Sequence, residues 1–280
     1  MTGTLSEAEL RTQFAHYQRL AHEIEAHNAD TVTYLQALYA RSRVEGDVWD
    51  ELSAHRKAET SGVTGPLIKA AFRRFVGQLQ GNRCCYCRRW LLNIAHAKPI
   101  EHILPRASYP HFSLYFWNLA VACFDCNQLK HDERWGAFPV VFAHYPKAVQ
   151  FSEWYHPRFH RYTDHISFER RETNHVSNVT YIGHTPQGKH LCRELLYIVA
   201  ARENLCRNNP SLAEAITTLQ EFQEQHSEDD LPHLAAFRQS LNRSLQHQLD
   251  GSAVDSLTLK GTLPEKPIAK AKRRTKTATW

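Results

Sequence analysis

Two Cys-x-x-Cys pairs, Cys84/Cys87 and Cys123/Cys126, constrain this chain more than any other feature. Each pair offers two thiolates at the spacing that a tetrahedral zinc ion requires. Closing the loop of about 40 residues between the pairs costs roughly 3 kcal/mol of entropy, whereas a structural zinc returns on the order of 10–16 kcal/mol. We therefore predict one four-cysteine zinc site, with buried thiols or disulfides as the alternative. Cys85 is out of phase with the pairs and is expected to pack in the core.

The segment between the two pairs predicts a hairpin followed by a helix. Residues 98–105 form a short predicted strand bounded by prolines, with Glu101 and His102 pointing to opposite faces. Residues 117–122 are the predicted returning strand, and residues 127–132 the helix. Zinc would tie this strand–loop–strand–helix unit at its base.

This unit resembles the ββα-metal HNH nucleases of the zinc-knuckle variety, which carry Cys-x-x-Cys on both sides. The resemblance implies that Glu101 is the acidic metal ligand, that His102 is the general base, and that Asn118 orients the loop and the histidine. Asn127 matches the last position of the motif, where it replaces the literal histidine. His131 is predicted to share a helical face with Asn127, so it is a second candidate for the third metal ligand.

The sequence IEHILPRASYP…WNLAVACFDCNQLK is similar to the corresponding sequences of the HNH subunits of Septu and retron-associated defence systems. This resemblance covers the middle sixth of the chain well and extends more loosely to residue 207. It implies the nuclease component of a bacterial anti-phage defence system that pairs with an ATPase subunit. The apolar helical faces at both ends of the chain suit such a partner, although internal packing would produce the same stripes.

The residues themselves support phosphodiester hydrolysis. Carboxylate and amide oxygens are hard ligands, so Glu101 and Asn127 suit Mg²⁺ or Mn²⁺ while the thiolates hold zinc separately. A neutral imidazole takes a proton from water near neutral pH, which assigns His102 as the base. The alternative is that His102 is one of many structural histidines in this chain.

Basic residues provide candidate contacts to nucleic acid. Arg106 and Lys130 lie next to the motif, and residues 251–280 carry seven cations against two acids. The resulting net charge of +5 equals that of the whole chain, so residues 1–250 sum to zero. We expect this tail to be disordered and to hold DNA phosphates, or else to aid solubility or dock an acidic partner. Its central candidates are Lys270, Lys272, Arg273 and Arg274.

Composition places the 280 residues among soluble globular proteins, with 42% hydrophobic and 22% charged residues. The expected class is α+β and mainly α-helical, with helical N- and C-terminal regions around a zinc-stapled ββα-metal HNH module. The predicted divisions are a helical region 1–81, the nuclease module 82–135, a mixed then helical region 136–250, and the basic tail. We expect a cytoplasmic location, because membrane-length apolar runs and a leader pattern are absent.

Local patterns outside the module predict further elements. Ser6-Glu7-Ala8-Glu9 is a capping box that starts a helix, followed by helices from Asp30 through Tyr39 and from Pro66 to Gly81. Residues 166–170 and 179–183 predict a strand pair, and residues 187–249 return to helix. Cys192 and Cys206 are expected to be core thiols. The histidines of residues 133–190 lack ligand spacing and are expected to be scattered polar residues, not a second metal site.

These observations together predict a metal-dependent endonuclease acting on DNA. Two rivals stay open: a nuclease of the same chemistry that cleaves RNA or tRNA, and a catalytically silent zinc-ribbon adaptor that binds nucleic acid or a partner. The chain lacks a Gly-rich phosphate loop, so any ATP hydrolysis would belong to another protein.

Overall fold

The structure is a computed structural model that describes residues 3–56, 62–92, 98–136, 138, 144–174, 177–208 and 218. All of these residues lie within one unit, residues 1–227. The predictions for most of residues 209–249, for the side chains of Cys206 and His175, and for the basic tail fall outside the described residues.

The N-terminal region is helical, as predicted. Its helices are α1 (Glu7–Leu20), α2 (Glu25–Glu45), α3 (Trp49–Ala54) and α4 (Gly65–Leu79). The capping box at the start of α1 is confirmed, since the Ser6 amide donates to Glu9 Oε2 over 2.8 Å. Thr64 caps α4, and Pro66 lies in its first turn. The helix predicted from Asp30 is longer at both ends, and α3 was not predicted.

The central hairpin and helix also form. Strand β1 (Ile100–His102) pairs antiparallel with β2 (Leu119–Val121), and Glu101 lies opposite Ala120. Helix α5 (Phe124–Lys130) follows, and it begins three residues earlier and ends two residues earlier than predicted. Its early start has a local cause, because the Cys123 thiol accepts a hydrogen bond from the Cys126 amide and acts as the N-cap.

The outer edge of β2 is covered by a side chain. Gln80, at the end of α4, donates to the Val121 carbonyl over 2.8 Å and accepts from the Val121 amide over 3.0 Å. The Cys85 amide donates to the same carbonyl. Gln80 therefore pairs with β2 as a neighbouring strand would, and it joins α4 to the cysteine-bearing turn.

A second hairpin and a helical segment pack on the other side of the cysteine turns. Strands β3 (Ile166–Glu172) and β4 (Ser177–Gly183) pair antiparallel, which confirms the predicted strand pair. They lie between α6 (Tyr162–His165) and a helical run made of α7 (Pro186–Leu191), a π turn (Cys192–Leu196) and α8 (Tyr197–Asn208). The Tyr181 hydroxyl donates to the Cys87 carbonyl over 2.8 Å, which ties β4 to the first cysteine pair.

The main core runs from α1 and α4 through the central hairpin to α7 and α8, and it includes the buried Cys192. A smaller cluster lies around Leu38, Leu52 and Ile68. The structure is mainly helical with two small antiparallel sheets, so the predicted α+β class is confirmed. Among the described residues, no helix has the length and apolar character needed to cross a membrane.

Candidate metal centre and catalytic groove

Four cysteines converge at the base of the central hairpin. Cys84 and Cys87 lie in the turn after α4, while Cys123 and Cys126 lie at the start of α5. All four are buried, and their sulfur atoms lie within 4.8 Å of one another. None of them forms a disulfide. The predicted four-cysteine cluster is therefore present, and it can bind a metal ion such as zinc.

The spacing of the sulfur atoms fits zinc. Zinc–sulfur bonds of about 2.3 Å place tetrahedral ligands about 3.8 Å apart, and the Sγ atoms of Cys87 and Cys123 are 3.7 Å apart. The Cys123 amide donates to Cys84 Sγ over 3.2 Å, a contact that stabilises a thiolate. Arg88 adopts a left-handed conformation with φ of 59°, which lets the chain turn tightly just after Cys87.

The thiols differ in how easily they ionise. Burial raises the pKa of Cys126 well above its usual range. Burial also opposes ionisation of Cys84, but hydrogen bonds from the surrounding thiols lower its pKa well below the usual value. Cys85 is buried outside the cluster, and burial raises its pKa. The expectation that Cys85 is a packed thiol, separate from the four clustered cysteines, is confirmed.

A polar groove of about 230 Å³ opens beside the hairpin. Glu101 and His102 of β1 line it, and so does Asn127 of α5. Arg106 and His131 lie at the same groove. The hairpin and α5 therefore bring the predicted acid, base and final asparagine to one place, although they are separated by 25 residues of chain.

His102 is held as a neutral imidazole. Its Nε2 lies 3.0 Å from the Ser113 carbonyl, which can only accept, so Nε2 carries the proton and Nδ1 keeps its lone pair. Burial lowers the pKa of His102 to about 3, and the positive charges of Arg106, Lys130 and Lys69 add to that effect. The indole of Trp49 packs edge-on, 4.5 Å from the His102 ring centre. The ring is thus fixed in one tautomer and one orientation.

Glu101 is buried and bound by two side chains. Lys130 Nζ lies 2.7 Å from Glu101 Oε1, and the Tyr86 hydroxyl donates to the same oxygen over 3.1 Å. Lys130 also donates to the His102 carbonyl over 3.0 Å. Burial raises the pKa of Glu101, whereas Lys130 and Tyr86 act in the opposite direction. Oε2 makes no hydrogen bond to any described residue, which leaves one carboxylate oxygen for a ligand in the groove.

The side chain of Asn118 forms hydrogen bonds that hold the loop between β1 and β2. Its Oδ1 accepts from the Leu104 amide over 2.7 Å, and its Nδ2 donates to the carbonyls of Leu104 and Phe112 over 3.0 and 3.1 Å. Phe112 precedes Ser113, whose carbonyl holds His102. The asparagine therefore acts on the histidine indirectly, by fixing the carbonyl that binds its ring.

A hydrogen-bonded chain behind Asn118 was missed in the sequence. The Arg158 amide donates to His156 Nδ1 over 3.3 Å, so His156 Nε2 carries the proton and lies 2.8 Å from the Tyr145 oxygen. The Tyr145 hydroxyl then donates to Asn118 Oδ1 over 3.1 Å. Tyr145 and His156 are buried, and each donor in this chain has one acceptor. No local pattern marks these two residues, because they are 27 and 38 positions from Asn118.

Asn127 and His131 do not share a helical face as predicted. Helix α5 ends at Lys130, and His131 takes a left-handed conformation with φ of 43°. The His131 ring is exposed, with Nδ1 3.4 Å from Asp132 Oδ2. Asn127 is half-buried and its side chain makes no hydrogen bond to a described residue. Both residues still line the groove, so the side chain of each can reach a ligand bound there.

The structure corrects the expectation that Lys130 contacts nucleic acid. Its side chain is fully buried and satisfied by Glu101 and the His102 carbonyl, so it has no surface to offer a phosphate. Arg106 is partly exposed at the groove and forms ion pairs with Asp47 and Asp50, at 3.0 and 3.5 Å. Its contact with nucleic acid stays a prediction.

The histidines after residue 133 are less scattered than expected. His156, His160 and His165 are buried, and His165 bonds to Thr185 and to the Gly3 carbonyl at 2.7 and 2.9 Å. Within the part of the chain that the structure describes, the four cysteines are the sole group of three or more His, Cys, Asp or Glu side chains arranged to hold a metal ion. The three buried histidines thus form part of the packed interior of this region.

Comparisons of the chain with protein-family models, with curated proteins and with solved structures found no match. Function has to be inferred from the groove and the cysteine cluster.

Proposed function

We propose that this protein is a metal-dependent endonuclease that hydrolyses phosphodiester bonds in DNA, with His102 as general base. The observation that supports this most is the geometry of His102. Its Nε2–H is held by the Ser113 carbonyl, which leaves the lone pair on Nδ1, and its ring lines one groove together with Glu101 and Asn127. A neutral, oriented imidazole beside hard oxygen ligands is what activation of water for attack on a phosphodiester requires.

The donor set fits the two metals that the proposal needs. The four cysteines suit a structural zinc, and Glu101 with Asn127 suits Mg²⁺ or Mn²⁺ in the groove, with His131 as a further candidate ligand. When bound, the divalent ion would stabilise the charge that develops on the phosphoryl group and the leaving oxygen. His102 Nδ1 would take the proton from water. Asn118 and the Ser113 carbonyl would keep the imidazole in that tautomer and orientation.

The test is cleavage by purified protein with and without Mg²⁺ or Mn²⁺, using plasmid DNA and tRNA in parallel. His102→Ala should lose at least 100-fold in rate, in the range of about 10²–10⁴ that general bases contribute, while zinc content and the far-UV circular dichroism spectrum stay unchanged. His16→Ala is the matched control, because it removes an exposed histidine of α1 that lies outside the groove. Wild-type turnover in His102→Ala would refute the mechanism, and cleavage of tRNA alone would assign the substrate to RNA.

A second candidate function follows from Lys130. This buried cation already neutralises Glu101, which is the arrangement expected of a groove that binds no metal. The chain would then be a catalytically silent zinc-ribbon adaptor. Calorimetric titration of the zinc-loaded protein with Mn²⁺ separates the two, because the adaptor should show no binding that depends on Glu101.

We also propose an ATPase partner subunit within an anti-phage defence complex, which rests on the resemblance of residues 100–130 to the HNH subunits of Septu-type systems. Purification of the native complex, followed by cleavage assays with and without the companion, tests this. A monomeric chain that is fully active alone would remove the need for the partner.

A further inference from the structure

An apolar cleft of about 240 Å³ lies between α1, α2, α4 and the segment that leads into β2. Its lining includes several aromatic side chains. Phe14 is exposed, Phe116 is buried, and the partly buried ones are Tyr39, Trp49, Tyr115 and Trp117. Flat rings exposed in a hollow of this size form a surface on which another flat ring can stack.

This cleft adjoins the catalytic groove. Trp49 and Ile100 line both hollows, and the Trp49 indole packs against His102 on the groove side. The two spaces are therefore separated by little more than one side chain. A nucleotide whose phosphate lies beside His102 can place its own base, or the next one, in the cleft.

Cations lie where the cleft and the groove meet. Lys69 Nζ sits 4.1 Å above the Trp49 ring. Burial lowers the pKa of Lys69, and the charges of Arg73 and Arg106 add to this effect because all three cations lie near one another. Arg106 also lines the groove. Aromatic walls next to grouped cations match a strand of nucleic acid, which has flat bases on a phosphate backbone.

We propose that the cleft is a subsite for an unpaired nucleobase of the strand whose phosphate lies in the catalytic groove. This inference rests on the proposed nuclease function and narrows its substrate to single-stranded or looped nucleic acid. A paired base is stacked within its helix and would have to be extruded before it could enter such a cleft.

The first test fills the cleft. Gln36 is an exposed residue of α2 that lines it, so Gln36→Trp places an indole at its mouth without disturbing the core. Cleavage of a single-stranded oligonucleotide, assayed as DNA and as RNA, should fall about 5- to 150-fold, the range expected for loss of one base–aromatic stack. Cleavage of a fully abasic strand of the same length, which has phosphodiesters but no flat rings, should not differ between Gln36→Trp and the wild type. Ala37→Trp, exposed on the same helix but outside the cleft, is the matched control.

The second test alters the substrate and leaves the wild-type protein intact. A series of oligonucleotides carries one abasic nucleotide each, at successive positions around the cleavage site. At a single position, the missing base should lower the cleavage rate by the wild-type protein as much as Gln36→Trp does. Unchanged oligonucleotide cleavage by Gln36→Trp, with no sensitive abasic position, would overturn the subsite and leave the cleft to an apolar protein segment. If the wild-type protein cleaves neither the DNA nor the RNA oligonucleotide, the nuclease function fails, and the subsite fails with it.

Discussion

Replacing Lys130 by Met tests both the buried ion pair and the metal assignment. The Lys130 ammonium lies 2.7 Å from Glu101, and the two side chains are 0% and 4% exposed. Lys130→Met keeps the aliphatic volume but leaves a buried carboxylate supported only by the Tyr86 hydroxyl. Removing one partner of such a pair costs about 3–5 kcal/mol. At about 2–4 °C per kcal/mol for a domain of this size, the unfolding temperature should fall by about 6–20 °C.

Divalent metal should reverse part of that loss. In the wild-type protein an ion in the groove has to share Glu101 with Lys130, whereas in Lys130→Met the carboxylate is free to bind it. An ion at a hundred times its dissociation constant stabilises the folded state by about 2.7 kcal/mol. Mg²⁺ should therefore raise the unfolding temperature of Lys130→Met by several degrees more than that of the wild type.

The assay is thermal unfolding of the zinc-loaded proteins, followed by circular dichroism with and without Mg²⁺. The control is the double variant Glu101→Gln/Lys130→Met, which removes both charges. It should be more stable than Lys130→Met and should not respond to Mg²⁺. A Mg²⁺ response in the double variant equal to that of Lys130→Met would show that Glu101 is not a ligand, and a change under 1 kcal/mol in Lys130→Met would refute the buried pair.

Three further outcomes are expected. Cys87→Ser should release zinc and lower solubility, whereas Cys85→Ser should keep full zinc by metal analysis; full zinc in the first would refute the four-cysteine site. Tyr145→Phe removes the donor to Asn118 and should cost about 1–3 kcal/mol in denaturant unfolding; unchanged stability would show that Asn118 is held without it. Deleting residues 251–280 should weaken DNA binding and flatten its salt dependence, by a slope of up to about 6 if all seven cations engage phosphate. Unaltered affinity at low salt would place DNA binding on the remainder of the chain.

Features set by neighbouring residues were predictable. The cysteine spacing predicts the cluster because each pair supplies its own turn, and the Ser6–Glu9 capping box predicts the start of α1 because both partners lie in one turn. The short hairpin followed from prolines and strand-forming residues around Glu101. Helix α3 was missed because its six residues have no side-chain cap and are too few for a periodic pattern.

Features set by long-range packing were not predictable. Lys130 is the last residue of α5, where a lysine is usually exposed. Its burial depends on Glu101 of β1, with which it forms an ion pair. Tyr145 and His156 reach Asn118 only after residues 144–160 fold back on the loop. Their side chains have no spacing relation to the motif. Burial and tautomer are properties of the assembled core, and a linear pattern carries little information about either.

Gln80 affects how this protein can associate with other chains. A short, unpaired strand edge is a template on which another chain can add a strand, and proteins avoid aggregation by blocking such edges. Here the amide of Gln80 occupies both hydrogen-bonding groups of Val121. Peptides are thus prevented from extending the small sheet at this residue. Gln80→Leu would free the Val121 amide while the Cys85 amide keeps its bond to the carbonyl, and the expected phenotype is self-association through β-sheet instead of simple loss of fold.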